Sequence, residues 1–137
     1  MPMDFEPERD YPLGTKRPDL VATPGGMPLS EVTLAAAREG RLDGAQIRAT
    51  PRTLRLQAEV ARAAGRRQLA ESLERAAELA SVPDAALLEI YTALRPRRST
   101  AAELESWAAR LDGWGAGETA TFVREAAAAY TERGLLA

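Results

Sequence analysis

Glu89-Ile90-Tyr91-Thr92-Ala93-Leu94-Arg95-Pro96-Arg97-Arg98-Ser99 closes a stretch, Thr50 to Ser99, whose reading decides the fold. Leu87, Ile90, Tyr91 and Leu94 stand at helical spacing on one face. Pro96 forbids continuation because it brings no backbone donor and restricts the residue before it, so the spacing predicts a helix that stops near Leu94. Beyond the stop lie Arg95, Arg97 and Arg98, at a helix end where the macrodipole favours positive charge. Such a cluster suits bidentate binding of a phosphate or of a partner's carboxylates.

The same logic works outward. Thr50-Pro51 joins an oxygen-bearing cap to a proline at the first helical position, where its missing donor costs nothing. A helix from Pro51 to Ala64 is expected, with Leu54, Ala58, Ala61 and Ala64 on one face and Gly65 as its end. From Arg66 a second apolar stripe, Leu69, Leu73, Ala76 and Ala80, is backed by Glu71, Glu74, Arg75 and Glu78 on the wet side. These two helices should form a hairpin or a bend. Val82-Pro83-Asp84 then breaks the chain and starts the Asp84–Leu94 helix. Downstream, Thr100 with Glu103 is a capping-box pattern for a helix burying Leu104, Trp107, Ala108 and Leu111. Gly113, Gly115 and Gly117 mark a corner around Trp114. The last helix, Glu118 to Arg133, turns Phe122, Val123, Ala126, Ala127 and Tyr130 inward until Gly134 stops it.

Upstream the signals are weaker. Thr33 can cap a short helix from Leu34 to Glu39 that Gly40 closes, and Asp43 can cap a turn through Ile47. Residues 1–26 hold Pro2, Pro7, Pro12, Pro18 and Pro24 with little apolar periodicity, which predicts an extended arm against a helical domain over 27–137. Along the arm, Asp10 to Pro18 alternates apolar anchors with charges, the pattern of a segment that lies on another surface. No stretch alternates like a strand. The class expected is all-α, a single compact domain with an extended proline-rich arm.

Composition removes most chemistry. In 137 residues there is no Cys and no His, hence no thiolate nucleophile, no imidazole base and none of the usual zinc or haem ligands. The 20 acidic residues are spread among 18 basic ones, which reads as an ion-paired helical surface rather than a catalytic dyad. A net charge of -2 gives no field to attract nucleic acid. A helix-turn-helix over Gln57 to Leu79 fails because its buried positions fall on Arg66, Glu71 and Glu74. Gly25-Gly26 and Gly113 to Gly117 lack the lysine and preceding strand of a phosphate loop. No run is long and apolar enough to span a membrane, and Met1 to Asp10 carries four acids and no apolar centre, so the chain is read as cytoplasmic. Alanine fills many inward positions, each methyl contributing about 0.8 kcal/mol where a leucine or phenylalanine gives about 1.5–3. A core so thin points to completion by another chain. The competing reading is a free-standing helical interaction or regulatory module.

These residues carry a resemblance that covers about Asp10 to Leu136. Asp10-Tyr11-Pro12-Leu13 with Thr15-Lys16-Arg17-Pro18, Thr50-Pro51 with Thr53-Leu54, Ala64-Gly65-Arg66, Glu74-Arg75-Ala76-Ala77-Glu78-Leu79, Val82-Pro83-Asp84, Glu89-Ile90-Tyr91 with Ala93-Leu94-Arg95-Pro96, and Phe122-Val123-Arg124-Glu125-Ala126-Ala127 stand in one order. Together they resemble the small subunit of coenzyme B12-dependent diol or glycerol dehydratases. The resemblance implies a helical, non-catalytic subunit applied to a large barrel subunit that holds the substrate. A medium subunit helps hold the cobalamin, and the trimer is doubled. In that family adenosylcobalamin generates a radical, the hydroxyl migrates, and water leaves to give an aldehyde. The implication for this chain is no catalytic residue, no metal and no cofactor of its own. Tyr11, Lys16 and Arg17 of the arm and Arg95, Arg97 and Arg98 become the expected contacts to the large subunit. Substrate choice among propane-1,2-diol, glycerol and ethane-1,2-diol would lie in that subunit. Two departures stand out: no amphipathic helix precedes Asp10 of the kind some relatives use to enter a protein-shelled microcompartment, and the corner from Asp112 to Gly117 is locally different.

Overall fold

Prolines start short helices along the first third of the chain where the sequence suggested an extended arm. In the computed structural model, which describes residues 2–137, α1 (Pro7–Asp10) has proline at its first position, followed by α2 (Leu13–Lys16) and a 3₁₀ turn, Pro18–Leu20. Each begins where a missing backbone donor costs nothing. The Tyr11–Pro12 peptide is cis. A second 3₁₀ turn (Leu29–Glu31) leads to α3 (Leu34–Arg38), α4 (Pro51–Ala63), α5 (Arg67–Leu79), α6 (Asp84–Ala93), α7 (Ala101–Gly113) and α8 (Gly117–Arg133). Among the described residues the only extended pairing is an isolated bridge between Ala22 and Pro28, so the class is the all-α one the spacing predicts. The chain divides within α5 into two compact units, one running to Ala77 and the other Glu78–Ala137.

In the first unit, Leu56 of α4 is fully buried, with Leu13 and Leu20 beside it and Phe5 and Val21 at the edge. The arm is therefore folded onto α4 by its own leucines. Ala58 and Ala61 of α4 pack against Ala70 and Leu73 of α5 beside the junction at Gly65, the bend of the two arrangements expected there. Gly65 sits at φ +74°, and the Arg66 amide donates to the Ala61 carbonyl at 2.8 Å, closing α4 in the left-handed manner that glycine allows. Both apolar stripes differ from the sequence reading. α4 buries Leu56 instead of Ala64, and α5 buries Ala70 and Ala77 while Leu69 is exposed. Alanines at the contact let the helices rotate so that small side chains meet and the bulkier Leu69 stays outside.

The second unit is a helix pair, α7 against α8, with α6 packed on α7. Ile90, Leu104, Leu111 and Val123 form its centre, closed by Val82 and by Ala86, Ala108, Ala116 and Ala120. Thr100 and Glu103 make the reciprocal capping box, and Gly115 at φ +74° turns the corner into α8. Two expected inward residues are outside: Tyr91 is 62% exposed and Phe122 45%. Ala86 and Ala120 take the core positions because close approach of the helices favours small side chains.

Candidate partner interface

The arm residues singled out in the sequence divide by role. Arg17, with a side chain 17% accessible, is the hub of a charge cluster inside the first unit. Its Nε and Nη2 hold Asp19 at 3.0 and 2.9 Å, Nη1 reaches Asp10 at 3.2 Å, and Nη2 reaches Asp4 at 3.2 Å. Asp10 is itself 3% exposed, held by a bidentate pair from Arg9 at 2.7 and 2.9 Å and by the Glu6 amide at 3.0 Å. The Arg9 hydrogen bonds, then the Glu6 amide and the charges of Arg9 and Arg17, hold its carboxyl far below its ordinary value of 3.8. Sequence reading missed this buried acid; its signal was the Arg9-Asp10 pair followed by Arg17 seven residues later. Lys16 donates from Nζ to the Arg9 carbonyl at 3.0 Å. Lys16 and Tyr11 are exposed, and Tyr11 stands on the wall of an apolar groove of about 760 Å³ that also includes Leu13, Val60, Leu69 and Leu73.

In the second unit hydrogen bonds fasten the turn that carries Arg95, Arg97 and Arg98. Arg95, Arg97 and Arg98 are exposed, and no ion pair involves them among the described residues. Arg97 has φ +60°, a conformation costly for a bulky side chain, and its amide donates to the Leu135 carbonyl at 2.8 Å. The Tyr130 hydroxyl donates to the Leu94 carbonyl at 2.6 Å, the Ser99 hydroxyl to the Ala93 carbonyl at 2.9 Å, and the Ala137 amide to the Ser99 carbonyl at 2.9 Å. Next to this turn, Leu88 (70% exposed) and Tyr91 continue the outer face of α6 towards Arg95, at spacings of three and four residues. A shallow hollow of about 450 Å³ lined by Leu88, Glu89, Thr92, Ala93, Arg98 and Trp107 completes the surface, with Glu89 as its acid and Arg98 as its base. Arg110 lies 4.2 Å from the Trp107 ring centre and 5.2 Å from that of Trp114, which fixes the indole at one side of the hollow.

No group of His, Cys, Asp or Glu among the described residues is arranged to hold a metal ion. The two surfaces share exposed apolar side chains with charged neighbours, the make-up of protein contacts.

Comparison with known proteins agrees with that chemistry. The pattern that defines the dehydratase small subunit family matches residues 7–137. The chain belongs to that family. A propanediol dehydratase small subunit of Citrobacter freundii is 50% identical over 125 residues, covering 90% of this chain and 73% of the relative. The corresponding protein of Salmonella typhimurium strain LT2 is 49% identical over 125 residues, covering 90% and 72%. Membership of a small-subunit family decides between the two readings of the sequence in favour of a non-catalytic subunit of a lyase complex. It also gives the exposed faces a reason, since a subunit leaves uncovered in isolation what its complex covers. No helix among the described residues of this dehydratase small subunit is long and apolar enough to cross a membrane.

Proposed function

We propose that this chain is the small subunit of a cytoplasmic dehydratase that converts a 1,2-diol, propane-1,2-diol or glycerol, to the aldehyde and water. It packs on and stabilises the large, substrate-holding subunit, through Tyr11, Lys16 and Arg17 of the arm (residues 1–26) and through Arg95, Arg97 and Arg98 of the helical domain. A medium subunit completes a trimer that is doubled. The observation that carries this reading is the 50% identity to a propanediol dehydratase small subunit across 90% of the chain.

Adenosylcobalamin, which supplies the radical that takes a substrate hydrogen, is assigned to the other subunits. The residues of this chain do not fit it: Glu8, Tyr11, Gln57 and Arg66 are the polar side chains along the larger groove, the rest being proline, glycine and aliphatic residues. No buried side-chain nitrogen or oxygen among the described residues lacks a hydrogen-bond partner that a cofactor would supply.

Co-expression tests the reading. With large and medium subunits of a propanediol dehydratase, this chain is expected to co-purify in a fixed ratio and to raise the yield of soluble, cobalamin-dependent diol turnover several-fold over its omission. A complex equally soluble and equally active without it would refute the assignment, as would diol turnover by the isolated chain.

A further inference from the structure

We infer that the outer face of α6 and the arginine turn after it form one docking site, and that its occupant is an acidic segment of a partner subunit. This segment presents at least two carboxylates and one apolar side chain. The inference rests on the subunit reading and deepens it by naming the surface and the chemistry that fits it.

Three observations converge on the site. First, Arg95, Arg97 and Arg98 are exposed, close in sequence, and without ion pairs among the described residues, as are some other surface arginines such as Arg38, which stands alone rather than in a cluster. A partner's carboxylates would meet no competing ion pair there. Second, the backbone that carries the cluster is fixed before contact: the turn is fastened by the Ser99, Tyr130 and Leu135 hydrogen bonds, and Arg97 is held in a left-handed conformation. Fixing the backbone from which the guanidinium groups project removes part of the ordering cost from binding. Third, Leu88 and Tyr91 are the most exposed large apolar residues of the second unit, and with the hollow beside Trp107 they adjoin the cluster. An apolar anchor next to unpaired arginines is the arrangement of an interface hot spot. Charge complementarity selects the occupant: a neutral or basic segment would leave three positive charges desolvated and unmatched.

The test uses the assembled complex. Small subunit carrying Arg95→Glu with Arg98→Glu is co-expressed with the large and medium subunits, beside Tyr91→Ser and a control in the first unit, Arg38→Glu. The double reversal is expected to weaken retention at least about tenfold, Tyr91→Ser about tenfold, and the control not at all. Raising NaCl from about 0.05 to 0.5 M should weaken wild-type retention and have little effect on Arg95→Gln with Arg98→Gln, because screening acts on charges that are still present. Circular dichroism of each isolated variant separates lost docking from lost folding, and the glutamine pair serves if the reversal does not fold. Wild-type retention by both the double reversal and Tyr91→Ser overturns the docking site and leaves the subunit assignment standing. Failure of the wild-type chain itself to assemble overturns that assignment instead. Self-association of the isolated chain that Tyr91→Ser abolishes assigns the face to a second copy and also overturns the proposal.

Discussion

Asp10 shows what a single residue contributes to the folding of the arm. Its carboxylate is buried because two guanidinium groups and the Glu6 amide replace the water it loses, and the same contacts push its protonation far below the ordinary range. A carboxyl whose folded-state affinity for protons is depressed contributes stability that is fully present above its unfolded pKa, about 3.9, and is lost as pH falls through the folded value. Asp19, lowered by its Arg17 hydrogen bonds, and Glu105, lowered by those of Arg124, act in the same direction. The isolated chain should therefore lose urea stability steadily from about pH 5 downward, and Asp10→Asn should flatten part of that dependence while destabilising the protein at pH 7. An Asp10→Asn variant with an unchanged pH profile would show that the buried pair does not hold the arm. Arg17 binds Asp4, Asp10 and Asp19 of its own chain, while Tyr11 and Lys16 are the exposed members of the trio singled out in the arm.

Among elements, α8 depends on a distant cap. Ala116 precedes it and offers no side-chain acceptor, yet the Glu78 carboxylate accepts from the Glu118 amide at 3.0 Å and from the Thr119 amide and hydroxyl at 2.9 and 2.8 Å. A carboxylate at a helix N-terminus satisfies orphan donors and complements the dipole. Glu78→Ala should cost about 1–2 kcal/mol of unfolding free energy and Glu78→Gln less, measured by urea melts of the isolated chain. No loss for Glu78→Ala would mean water caps α8 equally well. This contact, 41 residues apart in sequence, is of the kind that local pattern cannot reveal. What pattern did reveal are starts and stops: Thr50-Pro51, Thr33, the Thr100 capping box, Gly65, Gly115 and Gly134 all act where their local chemistry is self-sufficient. Facing was less legible. α6 carries apolar residues on two sides, so a one-stripe reading folded Tyr91 into the core and overlooked Leu88, although the arginine cluster beyond them was plain from Pro96.

At the scale of the whole chain, the two units have cores of different make. In the second, Val82, Ile90, Leu104, Leu111 and Val123 interlock with Ala86, Ala108, Ala116 and Ala120 as one cluster, whereas the first divides its core, with Leu13, Leu20 and Leu56 in one place and Ala58, Ala61 and Ala70 in another. A buried leucine or isoleucine contributes about 1.5–3 kcal/mol and an alanine methyl about 0.8, so local opening should be easier in the first unit. Each 1.4 kcal/mol of that difference is about tenfold in exchange. Hydrogen exchange on the isolated chain should find the α7 and α8 amides at least about tenfold better protected than those of α4 and α5. The same argument predicts which apolar face gains most from assembly. The groove of Leu13, Val60, Leu69 and Leu73 lies over the alanine-built contact, so covering it would supply the bulky neighbours that Ala58, Ala61 and Ala70 lack. In the assembled complex the α4 and α5 amides should therefore slow by a larger factor than those of α7 and α8. Equal protection of α4 and α8 in the free chain would refute the idea that alanine-rich packing is what makes this subunit depend on its partners.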